Sequence, residues 1–120
     1  MKDWKKAIVP IDGSVRDAVQ ALNVGSVRVA LATGPDGRLQ GVITDGDIRR
    51  GLLAGKTLES PLREVLVTDF CAARPGDDDE AILAIMRSKD ILKNPVRDAE
   101  GRVIGLKILG ELSAPTRREN

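Results

Sequence analysis

The chain has no histidine and no tyrosine, and only one cysteine, one tryptophan and one phenylalanine among 120 residues. Without histidine it lacks the commonest general base and the commonest zinc ligand, so catalysis by this chain alone is not expected. The single cysteine, Cys71, allows no internal disulfide and fits a reducing cytoplasm. No apolar run approaches the roughly 20 residues of a membrane span, and Met1-Lys2-Asp3-Trp4 leads into no signal-peptide core. A formal net charge of +1 argues against a dedicated nucleic-acid binder. What is present is ordinary for a globular module: 42% hydrophobic and 31% charged residues, enough to bury a core in one domain or two fused subdomains.

The most informative stretch is Gly41-Val42-Ile43-Thr44-Asp45-Gly46-Asp47-Ile48-Arg49-Arg50. An apolar strand ends in a hydroxyl, an acid and a glycine, then opens into a helix with two arginines. Such a turn suits a sugar-phosphate: N–H groups at a helix start attract anions, Thr44 can donate to a phosphate oxygen, and Asp47 can accept from ribose hydroxyls. Arg49 and Arg50 offer forked donors for phosphate. The same letters also describe a plain strand, turn and N-capped helix, with Thr44 or Asp45 as cap and Gly46 as turn residue.

The chain repeats itself. Ala18 to Leu22 leads to Asp36-Gly37-Arg38-Leu39-Gln40-Gly41, and Ala81 to Ile85 leads to Glu100-Gly101-Arg102-Val103-Ile104-Gly105. The pairs Gly37/Gly101 and Gly41/Gly105 share one offset, and Ala18/Ala81 falls one residue short of it. A period of about sixty residues is too long for the common solenoids and suits two small α/β units packed together.

The periodicity gives each unit the order strand, helix, hairpin, helix. Ala7, Ile8 and Val9 form a strand closed by Pro10. Ser14 caps a helix whose stripe is Val15, Ala18, Val19 and Leu22, stopped by Asn23 and Gly25. Val27, Val29 and Leu31 alternate with Arg28 and Ala30 as a strand. Gly34 to Gly37 turns the chain into a return strand over Leu39 to Ile43. Ile48 and Leu52 share a helix face, and Pro61 starts a short linking helix through Val65. In the second copy Cys71 to Ala73 is the entry strand. Asp77 to Glu80 load a helix start rather than a metal loop. Ala81, Ile82, Ile85 and Met86 form the stripe. Ile91 to Val96 is a strand broken by Pro95, hence at an edge, and Val103 to Ile108 returns to a helical stub over Gly110 to Leu112. Pro115 to Asn120 reads as a frayed polar tail. Trp4 packs on the core or at an interface.

Glycine, two apolar residues, threonine, two residues and aspartate at Gly41 to Asp47, inside such a repeat, resembles the tandem CBS domain pair, or Bateman module, over roughly Lys5 to Ser113. The resemblance implies an α/β (α+β) fold of two β-α-β-β-α units packed about a pseudo-two-fold axis, with two clefts between them. The expected boundaries are 5–57 for the first unit, 58–69 for the linker, 70–113 for the second unit and 114–120 for the tail. It also implies an adenine nucleotide or S-adenosylmethionine as regulatory ligand and a homodimer. Carried over by position, Thr44 is the phosphate-side hydroxyl, Asp47 the ribose acid, Gly41 the start of the motif and Ile43 an apolar wall of the base pocket, with Asp45 and Gly46 between. In the second unit Ile108 stands in the hydroxyl position and Glu111 in the acid position, so one competent site per chain is expected.

Thr44 to Arg50 with Leu52-Leu53, Lys89-Asp90-Ile91 and Gly105-Leu106 is similar to the CBS pair ahead of bacterial sugar-phosphate nucleotidyltransferases of the mannose-1-phosphate guanylyltransferase kind. Arg117 to Asn120 resembles their linker to the catalytic domain. Arabinose-5-phosphate isomerases carry a similar Thr-Asp-Gly-Asp run, but with the pair at the C-terminus; the early start favours the nucleotidyltransferase arrangement. The leading expectation is a cytoplasmic regulatory module sensing an adenine nucleotide, without catalytic, metal, membrane or nucleic-acid function. The alternative is a dimerising or docking module with no physiological ligand.

Overall fold

Strand β2 (Val29–Thr33) is the centre of the first half. In this computed structural model, which describes residues 4–24 and 28–112, β2 pairs in parallel with β1 (Ile8–Pro10) and antiparallel with β3 (Leu39–Thr44). Every residue of β2 is buried, so the expected alternation with an exposed face does not occur. Ala30 and Ala32 pack towards the helices, while Val29 and Leu31 pack towards the second half. Arg28 is not in the strand; its φ of 61° is left-handed. The expectations at Gly25 and Val27 lie outside the described residues.

Helix α1 (Val15–Val24) starts where Ser14 and Asp17 cap one another: the Ser14 N–H donates to Asp17 Oδ2 at 3.0 Å, and the Asp17 N–H donates to Ser14 Oγ at 3.4 Å. Val15, Ala18, Ala21 and Leu22 are its buried stripe, with Val19 only partly covered. Helix α2 (Asp45–Leu53) follows β3 without a loop and buries Ile48 alone. Leu52 and Leu53 are exposed. The linking helix is shorter than the Pro61 to Val65 span expected: a 3₁₀ turn over Leu62–Glu64. Arg16 of α1 pairs with Glu59 of this linker, and that hydrogen bond holds the guanidinium pKa above its ordinary value.

The second half repeats the order with a weaker start. Strand β4 (Lys93–Arg97) pairs antiparallel with β5 (Val103–Ile108). The expected entry strand Cys71 to Ala73 is reduced to one parallel bridge, Ala73 to Val96. The Ala73 N–H donates to the Pro95 carbonyl and the Arg97 N–H to the Ala73 carbonyl, both at 2.8 Å. The next bond of a parallel ladder needs the N–H of residue 95, which proline lacks. Cys71 is therefore a half-buried loop residue, not a buried strand residue. In helix α3 (Asp79–Lys89) the buried residues are Ile82 and Met86. Ala81 and Ile85 face solvent, so the expected stripe is narrower. Helix α4 (Leu109–Leu112) adds Leu109 and Leu112 to this small core.

The halves join through a shared apolar cluster. Val29, Leu31 and Leu39 meet Phe70, Val103, Leu106, Ile108 and Trp4, so Trp4 belongs to the core between the halves. The linker docks on β3 through paired bonds between Val42 and Val67, at 2.9 and 3.0 Å. The expectations for Ser113, the tail and Arg117 to Asn120 lie outside the described residues.

Candidate functional site

Strand alternation decides which side chains of β3 reach the space between the halves. Val42 and Thr44 point to it; Gly41 and Ile43 point into the core, where Ile43 is fully buried. Ile43, expected as an apolar wall of the base pocket, thus does not line the cleft, whereas Val42 does. Gly41 is required for packing: a Cβ there would lie 2.6 Å from Leu66 Cδ1 and 2.7 Å from the Val67 carbonyl oxygen.

The space is a cleft of ≈ 810 Å³, a size that suits a small ligand. On its first-half wall stand Arg28, Thr44, Asp45, Gly46 and Asp47. Opposite, Phe70, Cys71, Ile91 and Pro95 give an apolar surface, with Asp69, Lys89, Asp90 and Lys93 at its polar positions.

Thr44 and Asp47 form a closed capping box at the start of α2. Asp47 Oδ2 accepts from the Thr44 N–H at 2.8 Å and from the Thr44 hydroxyl at 2.9 Å, while the Asp47 N–H donates to Thr44 Oγ1 at 3.4 Å. The other carboxylate oxygen, Oδ1, accepts from Arg50 Nη2 at 2.7 Å. The Asp47 side chain is 12% exposed. The capped-helix reading and the ligand reading therefore fall on the same two residues.

The arginines separate. Arg50 is bound to Asp47 and does not line the cleft. Arg49 lies in a shallower depression on the other side of α2, with Val19, Leu22, Ile48 and Leu52. The cation that does line the cleft beside Thr44 is Arg28, 3.2 Å from Asp45. It was missed because its sequence neighbourhood reads as strand. Lys89, Asp90 and Ile91, noted in the sequence only for their likeness to related chains, also line the cleft.

At the equivalent place in the second half, Ile108 and Leu106 stand where Thr44 and Val42 do. Both pack on the apolar cluster that also holds Trp4. Among the described residues, no group of three or more His, Cys, Asp or Glu side chains is placed to hold a metal, and no helix is long and apolar enough to cross a membrane.

Residues 4–54 match the sequence profile of the CBS domain. The fold is that of CBS proteins: a CBS domain protein, PAE2072 from Pyrobaculum aerophilum, complexed with AMP, superposes with a TM-score of 0.83 at 18% identity, over 97% of this chain and 93% of that one. The cytosolic domain of the Mg2+ channel MgtE in complex with ATP gives 0.75 at 20% identity, over 88% of this chain and 42% of that one. Arabinose 5-phosphate isomerase GutQ of Shigella flexneri is 28% identical over 97 residues, 81% of this chain. The chain spans 30% of that relative's length. This relative is a sugar-phosphate isomerase, where the sequence resemblance had pointed to a nucleotidyltransferase.

Proposed function

We propose that the chain is a regulatory pair of CBS units, 5–57 and 70–113, joined by 58–69 and followed by a tail at 114–120, which senses an adenine nucleotide in the cleft beside α2. One observation carries this reading: the strand-to-helix turn puts Thr44 and Asp47 on the wall of an ≈ 810 Å³ cleft whose opposite wall is apolar. An adenine ring suits the surface of Val42, Phe70, Ile91 and Pro95, and the Asp47 carboxylate is the acceptor for ribose hydroxyls. The AMP and ATP complexes of its structural neighbours support this class of ligand.

In this reading the regulated reaction belongs to another domain or chain. The sugar-phosphate enzymes named by the sequence resemblance and by the isomerase relative make a sugar-phosphate-acting catalytic domain the natural partner, a nucleotidyltransferase or an isomerase. A homodimer, formed through the exposed face of α1 and α2, completes the proposal.

The test is calorimetric titration and thermal shift with AMP, ADP, ATP, S-adenosylmethionine and GMP. Saturable binding of an adenine compound and none of GMP is expected. A flat response to all of them supports the second reading, a dimerising or docking module without ligand. The closure of Thr44 and Asp47 on each other favours that alternative.

A further inference from the structure

We infer that the cleft selects an adenosine compound with at most one phosphate over the di- and triphosphate. This rests on the adenine-nucleotide reading above and concerns the charge of the ligand's 5′ substituent. The phosphate side of such a ligand belongs at the start of α2, and two of the donors there, the Thr44 hydroxyl and the Asp47 N–H, are already in use. The Thr44 hydroxyl has one proton, which it donates to Asp47 Oδ2 at 2.9 Å. The Asp47 N–H is directed at Thr44 Oγ1. The positive end of the α2 dipole is offset by two carboxylates in its first turn, Asp45 and Asp47.

The surrounding charges point the same way. The cations on the cleft are Arg28, Lys89 and Lys93, and the acids are Asp45, Asp47, Asp69 and Asp90. The cations do not outnumber the acids, and Arg28 is held by Asp45 at 3.2 Å. Arg28 is also one of two non-glycine residues described at positive φ, and its guanidinium reaches the cleft edge beside α2 through its contact with Asp45. One phosphate can share Arg28 with Asp45. Every further phosphate adds negative charge facing Asp45 and the acids of the opposite wall, with no surplus cation to meet it. A nucleotide pocket built for polyphosphate would carry the reverse balance.

The experiment is isothermal titration of the full chain with adenosine, AMP, ADP and ATP, in chelator and at constant ionic strength. Binding is expected to weaken from AMP to ADP to ATP, with ATP at least about tenfold weaker than AMP. A D45N variant, which frees Arg28 and removes one carboxylate, is expected to narrow the AMP-to-ATP gap several-fold. ATP binding as tightly as AMP, or an unchanged gap in D45N, overturns the inference and leaves the adenine-nucleotide reading standing. Binding of none of the four compounds overturns both.

Discussion

Arg38 and Arg102 face each other across an antiparallel bridge at the tips of the two hairpins. The Leu39 N–H donates to the Gly101 carbonyl at 2.9 Å, and the Val103 N–H reaches the Gly37 carbonyl at 3.4 Å. Arg102 Nε donates to the Asp36 carbonyl at 3.0 Å. The acid-Gly-Arg run that repeats in the sequence thus repeats in space as a pair of turns bound to each other. Two like charges meet here because each is answered locally: Arg38 pairs with Asp36 and Arg102 with Glu100. The contact ties the halves together at a second place, besides the docking of the linker on β3.

Both turns depend on glycine at positive φ, +84° at Gly37 and +89° at Gly101. A Cβ at either position meets only ordinary contacts with the facing arginine, at 3.7 Å or more. Backbone strain is then the whole cost. Gly37→Ala and Gly101→Ala should each destabilise the fold by about 1–2 kcal/mol. Urea denaturation measures this, and an unchanged midpoint in both variants would show that the turns relax without loss.

Gly41 fails differently under substitution. Its φ is unremarkable, but a Cβ would collide with Leu66 and with the Val67 backbone oxygen. The linker must then move off β3, breaking the paired Val42–Val67 bonds. Gly41→Ala should cost about 1–3 kcal/mol. Because Val67 lines the cleft, ligand affinity should fall with it. Wild-type stability in this variant would refute the close approach.

These positions mark what was legible in the sequence. The repeat is legible as a recurrence of letters, and both hairpins, the Ser14 cap and the acid-rich start of α3 are local features, set by turn chemistry and by residues within four of each other. Thr44 and Asp47 could be named for the same reason. Ile43 could have been excluded as a wall residue, because period-two alternation puts it opposite Thr44. Burial of β2 on both faces, the single bridge at Ala73 and the cleft positions of Arg28 and Cys71 depend on how the halves pack. No local pattern carries that information. Pro95 is intermediate: its effect on the ladder is local chemistry, but which bond it removes depends on the partner.

Asp47 should show two separable effects. Asp47→Ala removes the acceptor for the Thr44 N–H and the carboxylate proposed for ribose. It should lower stability by about 0.5–2 kcal/mol, as capping residues do, and weaken AMP binding by about 1–3 kcal/mol. Asp47→Asn keeps one acceptor oxygen for the Thr44 N–H and loses the charge. It should recover much of the stability while binding AMP poorly. Thermal melts and calorimetry on the two variants separate these effects. Wild-type affinity in both would remove Asp47 from the site.

Stoichiometry tests the asymmetry between the halves. Ile108 and Leu106 lie against the cluster with Trp4, Val29, Leu31 and Leu39, so the position matching Thr44 is packed with apolar side chains. One nucleotide per chain is expected, and Trp4→Ala, at a partly buried indole, should cost less than the about 3–5 kcal/mol of a fully buried one. A titration giving two equivalent sites would contradict the assignment of this packing as a filled cleft.

Assembly should follow from the face that α1 and α2 leave uncovered. Val19, Leu22, Ile48 and Leu52 line a shallow depression there. Leu52 is 47% exposed and Leu53 84% exposed, so large side chains project beside a surface already apolar. Asn23, Arg28, Asp45 and Arg49 supply a polar rim, the arrangement expected of an interface. A self-complementary patch closes most simply as a two-fold dimer. Arg28 and Asp45 belong both to this rim and to the cleft wall, so a ligand that shares Arg28 should also shift the dimer equilibrium. Light scattering after size exclusion should give twice the chain mass at micromolar concentration, and Leu53→Arg should shift the protein towards monomer without loss of fold. A 12.9 kDa species at high concentration for the wild-type chain would refute the dimer and with it the docking reading, which needs the same face.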